Sequence, residues 1–126
     1  MSTIKANTLL HSDGTTTTQP SIPALDKRMA SAWVNFNGTG TVAIRDSENV
    51  SSVTDNGTGD YIGNFTVAMA NTNYCVTSAN TNSESNNATL MPVTYATSSI
   101  RVSSRNGSGS SMDGSVLNVT VMGGQS

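Results

Sequence analysis

Apolar and polar positions alternate most regularly between residues 31 and 67. That segment, SAWVNFNGTGTVAIRDSENVSSVTDNGTGDYIGNFTV, holds the single Trp and both Phe residues of the chain. A period of two is the mark of a β-strand with one buried face. A strand over 32–37 sets Val34 and Phe36 on one face and Trp33 on the other. The tetrapeptide Asn37-Gly38-Thr39-Gly40 then supplies a turn, because Asn and Gly tolerate the positive φ of a tight hairpin. A second strand over 41–46 directs Val42 and Ile44 inward, and a third covers 50–54. The same tetrapeptide recurs as Asn56-Gly57-Thr58-Gly59, ahead of a fourth strand over 61–68. Trp33, Phe36, Tyr61 and Phe65 are the side chains expected to hold these strands together.

Further strand patterns cover 73–79, with Tyr74, Val76 and Ser78 on one face, then 89–95, 99–104 and 116–122. Short strands recurring at this spacing predict an all-β fold: an antiparallel β-sandwich, jelly-roll-like, of about eight strands. The stretches 80–87 and 106–114 are polar and without period, so they read as surface loops. If the strands run alternately up and down, the connections after odd-numbered strands share one end. Those are the two Asn-Gly-Thr-Gly turns and the two long loops. The chain enters the sandwich at Ser31 from the other end. One end reads as an anchor and the other as a tip.

Residues 1–30 differ from the rest, and the expected division is an extended attachment arm over 1–30 and a sandwich over 31–126. Residues 2–10 have the composition of one extended strand, and His11-Ser12-Asp13-Gly14 is a turn signal. The Thr-rich, Pro-punctuated tract 15–23 favours an extended path, and residues 24–29 suit a single helical turn. Such an arm cannot bury itself. Ile4, Leu9, Leu10, Ile22 and Leu25 need cover, which points to docking on another subunit or a larger assembly.

Composition narrows the partners. Only 35% of the chain is hydrophobic, 5% aromatic and 11% charged, with a formal net charge of −2. Ser, Thr and Asn make up roughly two residues in five, far above ordinary usage. Disordered chains combine low hydrophobicity with high net charge, and this chain lacks the second property. Exposed faces coated with hydroxyls and amides fit weak hydrogen bonding to sugars. A basic patch and an aromatic ladder are both missing, so nucleic acid is not an expected partner. The start MSTIKANTLL lacks the features of a signal peptide, and no apolar run approaches the roughly 20 residues of a membrane span. The expectation is a protein made in a cytoplasm, with no membrane insertion. The seven Asn-x-Ser/Thr sequons, at Asn37, Asn49, Asn56, Asn64, Asn87, Asn106 and Asn118, follow from the Asn, Ser and Thr content.

No catalytic constellation emerges. His11 is the only histidine and lies in the arm, so it has no nucleophile to activate in the folded region. Cys75 is the only cysteine; a buried small hydrophobe is expected there rather than a reactive thiol. Asp55 with Asp60, and Asp46 with Glu48, flank turns and are read as turn caps rather than a glycosidase pair. Asp55-Asn56-Gly57-Thr58-Gly59-Asp60 lacks the alternating ligands and closing Glu of a calcium loop. The expectation is no cofactor, no metal and no enzymatic activity. Arg101 and Arg105 occupy alternate positions of one strand and are read as a solvated edge, with bridging to acids on a neighbour as the alternative.

The string AWVNFNGTGTVAIRDSENVSSVTDNGTGDYIGNF, residues 32–65, resembles a module of bacteriophage tail fibres and other virion structural proteins, especially of phages that infect aquatic bacteria. Residues 69–74, 99–102 and 116–123 resemble its later strands, and STIKANTL resembles the short starts that precede it. The likeness spans about 31–123 and is weakest over 80–87 and 106–114. The resemblance implies a virion component, a compact homotrimeric sandwich at the end of a fibre or spike, with host-surface contact as the usual role. A chain this short is not expected to include a fibre shaft. It is expected to be a terminal piece docked through its arm on other phage tail or capsid proteins, or a small decoration of the particle. Contacts with a bacterial surface glycan are expected at Asn80, Asn82, Glu84, Asn86, Asn106, Ser108, Met112 and Asp113, and docking at Ile4, Leu9, Leu10, Ile22 and Leu25.

Overall fold

The structure, a computed structural model, describes residues 1–15, 22–81 and 87–125. Eight strands follow one short helix, α1 (Pro23–Asp26). They are β1 (Ala30–Asn37), β2 (Ala43–Glu48), β3 (Val50–Asp55), β4 (Asp60–Phe65), β5 (Cys75–Asn80), β6 (Thr89–Tyr95), β7 (Ser99–Arg105) and β8 (Leu117–Met122). Two four-stranded sheets form, in the orders β2-β1-β8-β5 and β3-β4-β7-β6. Every strand pairing is antiparallel. The eight strands expected from periodicity are all present, as a β-sandwich.

Alternation explains the core. β1 buries Ala32, Val34 and Phe36, and its neighbour β8 buries Leu117, Val119 and Val121. The other sheet answers with Tyr61 and Phe65 from β4, Ile100 and Val102 from β7, and Leu90 from β6. Phe36 and Tyr61 meet between the sheets edge to face, with ring centroids 5.3 Å apart. Val42, Ile44 and Val76 pack against this cluster from its margins. Trp33 does not join it. Its strand position points to the outer face of the first sheet, where it stands opposite Thr120 and Glu48. Cys75 is likewise exposed, which corrects the expectation of a buried thiol. Its neighbours Tyr74 and Val76 turn inward, so the same alternation that buries them puts Cys75 outside.

The chain changes sheets between β2 and β3 at a single residue, Asn49, whose φ is 55°. Asn tolerates this left-handed conformation better than most residues. Its side chain reinforces the corner: Nδ2 donates to the carbonyls of Ser31 and Val67, and Oδ1 accepts from the Val67 N–H at 2.7 Å. The two identical tetrapeptides fold differently. In the first, the Asn37 side chain closes on Thr39, accepting from its N–H and hydroxyl and donating to its carbonyl. In the second, backbone bonds join Asn56 to Asp60 and Asp60 to Gly57, while Asp55 Oδ1 accepts from the Gly57 N–H. The surroundings of the two copies differ: the first lies in the connection 38–42, where Gly38 N–H donates to the Gly114 carbonyl, and the second forms the shorter connection 56–59.

The connections after odd strands do share one end. Gly38 N–H donates to the Gly114 carbonyl at 2.8 Å, Gly59 N–H to Asp113 Oδ1 at 2.8 Å, and Thr81 N–H to the Val116 carbonyl at 2.9 Å. The opposite end is closed by Ser31, whose hydroxyl donates to the carbonyl of Gly123, and by Ala70 donating to Gly124. The arm leaves from that second end. Its turn is present, with Gly14 N–H on the His11 carbonyl, and so is the helical turn near Pro23. Residues 1–15 form no strand.

A side chain on Gly38 would collide with the core. An added Cβ lies 2.5 Å from the Tyr61 hydroxyl oxygen and 2.9 Å from a Leu117 methyl. Gly38→Ala is expected to lower stability by about 1–3 kcal/mol, the usual cost of overpacking. Urea unfolding measures it, and an unshifted midpoint would show that the turn yields instead.

Candidate functional site

The loop end is knitted together before it offers anything to a partner. Tyr61, fully buried, projects its hydroxyl from β4 up to that end. It donates to Asp113 Oδ1 at 2.6 Å, with the Gly38 carbonyl also in reach at 3.0 Å. The same carboxylate oxygen takes the Gly59 N–H. One acid thus bonds the β3–β4 turn and the top of the core to the loop between β7 and β8. Gly59 is needed where it is: its φ is 68°, and a Cβ there would run into the Ser104 carbonyl and the Met112 backbone. Ser104, buried completely, accepts from Asn80 Nδ2 at 2.8 Å, which adds β5 to the knot.

Several of the residues expected to touch a partner also take part in hydrogen bonds of the fold itself. Asp113 and Asn80 are ties within the fold. Met112 is half-buried, and its N–H donates to the Ser104 carbonyl. Asn106 Oδ1 accepts from the Ser108 N–H and hydroxyl and from the Ser110 N–H, so Asn106 and Ser108 organise their own turn. Asn82, Glu84 and Asn86 lie outside the described residues. At the arm positions Ile4 is 88% exposed, Leu9 66%, and Leu10, Ile22 and Leu25 between 40% and 46%.

A cleft that no local sequence pattern announces lies beside the knot. On the outer face of the second sheet, β7 presents Arg101 and Arg105, and β4 presents Asp60 opposite Ser103. β7 is an inner strand of that sheet, so the two arginines do not guard an edge. Arg101 grips Asp60 with two parallel hydrogen bonds, its Nε 2.8 Å from Oδ1. The guanidinium holds the Asp60 carboxyl below the usual range, against a smaller opposing effect of burial. Arg105 is fixed by neutral groups, with Nε on Ser103 Oγ at 3.3 Å and Nη1 on the Gly109 carbonyl at 3.0 Å. The cleft holds about 330 Å³, and Asn56, Thr58, Val93 and Ser111 complete its walls. The β4–β7 pairing brings Asp60 to Arg101, and nothing in the order of strands along the chain announces that pairing.

Among the described residues, no three His, Cys, Asp or Glu side chains come together as a metal site. His11 lies beside Asp13 in the arm, 3.2 Å from its carboxylate. Among the same residues no helix is long and apolar enough to cross a membrane. Comparison with protein-family models, curated proteins and solved structures finds no match to this chain.

The knot carries a pH signature. Burial, followed by the Asp113 carboxylate, pushes the Tyr61 hydroxyl well above the ordinary phenol value. Burial also raises Tyr74, although its bond to the Ala96 carbonyl works the other way. A tyrosine that stays protonated in the fold but ionises near pH 10 when unfolded stabilises fully below that pH. That stability is lost as pH climbs from about 10 towards the folded-state value. Tyr61→Phe is expected to cost about 1–3 kcal/mol at pH 7, because Asp113 loses a buried partner. It is also expected to flatten the decline above pH 10. Urea midpoints from pH 8 to 11 test both, and equal slopes for the two proteins would refute the assignment.

Proposed function

We propose that this protein is a non-enzymatic virion component of a bacteriophage: a short trimeric tail-fibre or spike tip that touches the host surface. The observation that carries the reading is the two-ended construction. An arm of exposed apolar residues leaves one end, and the turns and loops after the odd strands are bonded together at the other. Such a layout suits a module that is held at its base and presents its top. The likeness of residues 32–65 to phage structural modules supports the same reading. An uncharged coat of hydroxyls and amides suits a bacterial glycan as the contacted surface. Three weak sites on one trimer, multiplied over several tips, supply avidity without chemistry.

The exposed arm also favours a second reading, a decoration protein of the capsid or tail whose arm clamps neighbouring subunits. Both readings make the arm the docking element and place the protein in the virion. Removing residues 1–29 is expected to leave a folded, soluble sandwich that no longer joins the particle. Full occupancy by the truncated protein would show that the arm is not the anchor. Replacing 82–86 and 107–110 with Gly-Ser turns spares Asn80 and Asp113 and tests the tip. Phage adsorption is expected to drop at least tenfold if the protein is a host-contacting tip, and unchanged adsorption favours the decoration.

A further inference from the structure

Of the clefts on this molecule, one stands at the loop end and is lined by charged side chains. Two arginines and one acid share it. Asp60 is opposite Ser103, which lies between Arg101 and Arg105 along β7, and its carboxylate is paired with Arg101, with the Asn56 side chain as a lesser partner. Arg105 is held by a hydroxyl and a carbonyl, neither of which neutralises it. Among the described residues no carboxylate pairs with Arg105, so the cleft carries a fixed, uncompensated positive charge within a chain of net charge −2. A guanidinium presents several donors in a planar fork, and those not used by Ser103 and Gly109 suit the two oxygens of a carboxylate. Around it stand the hydroxyls of Thr58, Ser103 and Ser111, with Val93 as the apolar patch. A volume of about 330 Å³ lies at the small end of ligand clefts and suits one or two sugar units.

We propose that this cleft binds the carboxylate-bearing sugar of an acidic polysaccharide, with Arg105 clasping the carboxylate. The proposal rests on the host-contact reading above and names its ligand class. The Arg101–Asp60 pair acts as a neighbouring brace, keeping Arg101 parallel to the sheet and reserving the anion for Arg105. The site lies on the sheet face beside the loops rather than at their tips.

The test uses the full-length protein, with methyl β-D-glucuronide as probe and methyl β-D-glucoside and acetate as controls. Amide shifts of Gly57, Gly59, Arg105 and Ser111 are followed by NMR. The glucuronide is expected to move these amides with a millimolar dissociation constant, and both controls to bind at least tenfold more weakly. Arg105→Gln is expected to weaken glucuronide at least tenfold without changing the melting temperature. Asp60→Asn, which frees Arg101, is expected to tighten it several-fold. Equal binding of glucoside, acetate as tight as glucuronide, or an Arg105→Gln protein that binds like the wild type would each overturn the proposal. Staining of host cells by labelled protein separates the two levels. Wild-type and Arg105→Gln staining of equal strength leaves host contact standing and removes this cleft from it. Glucuronide binding without any staining of cells keeps the cleft and removes the host-contact reading.

Discussion

The loop end of the sandwich depends on a single hydroxyl reaching the end of a narrow core. Tyr61 packs edge-on against Phe36 across the sheets, and its hydroxyl meets Asp113 where the loops converge. A core with few aromatics has little apolar area to spare, so its large side chains must serve twice. Tyr61 fills the space between the sheets and anchors the loop end through one charge-assisted bond, stronger than a neutral one. Gly38 and Gly59 lack side chains because that bond and its surroundings need the room. Loops that would wander on another sandwich are here held by the same network that completes the core.

The strands were legible because one face of each is buried. Alternation alone places Val34 and Phe36, and Tyr74 and Val76, and the structure keeps all of them on the core side. It also decides the position of Cys75, between two inward residues, where residue type argued for burial and period argued against it. Period describes what a backbone must do, whereas hydrophobicity states only a preference. Trp33 teaches the same lesson, since its size suggested core and its parity placed it outside.

Pairing was not legible. β1 lies beside β8 and β4 beside β7, and these partners are far apart in the chain. The cleft follows from the second pairing, because Asp60 reaches Arg101 only once β4 and β7 are neighbours. Asp113 looked like a loop residue free to touch a partner, since no local pattern reveals that a buried tyrosine terminates beneath it. Loop residues can be named from sequence as exposed or polar. Whether they are ties or contacts is set by what the distant strands bring against them.

The central place of β8 governs how the molecule can form. Asn35 donates to Asn118, a bond spanning 83 positions, and among the described residues β5 pairs in its sheet with β8 alone. The first sheet therefore stays half-assembled until β8 is available to pair. Fold topologies dominated by such distant pairings assemble in milliseconds to seconds, slowly for a chain of this size. During that wait the apolar face of β1, with Ala32, Val34 and Phe36, is open to other nascent chains, the circumstance in which aggregation begins. Away from that face, sparse aromatics and a dense supply of Ser, Thr and Asn leave the rest of the surface a poor adhesive. The hydroxyl-rich composition protects the molecule while it is still unfinished.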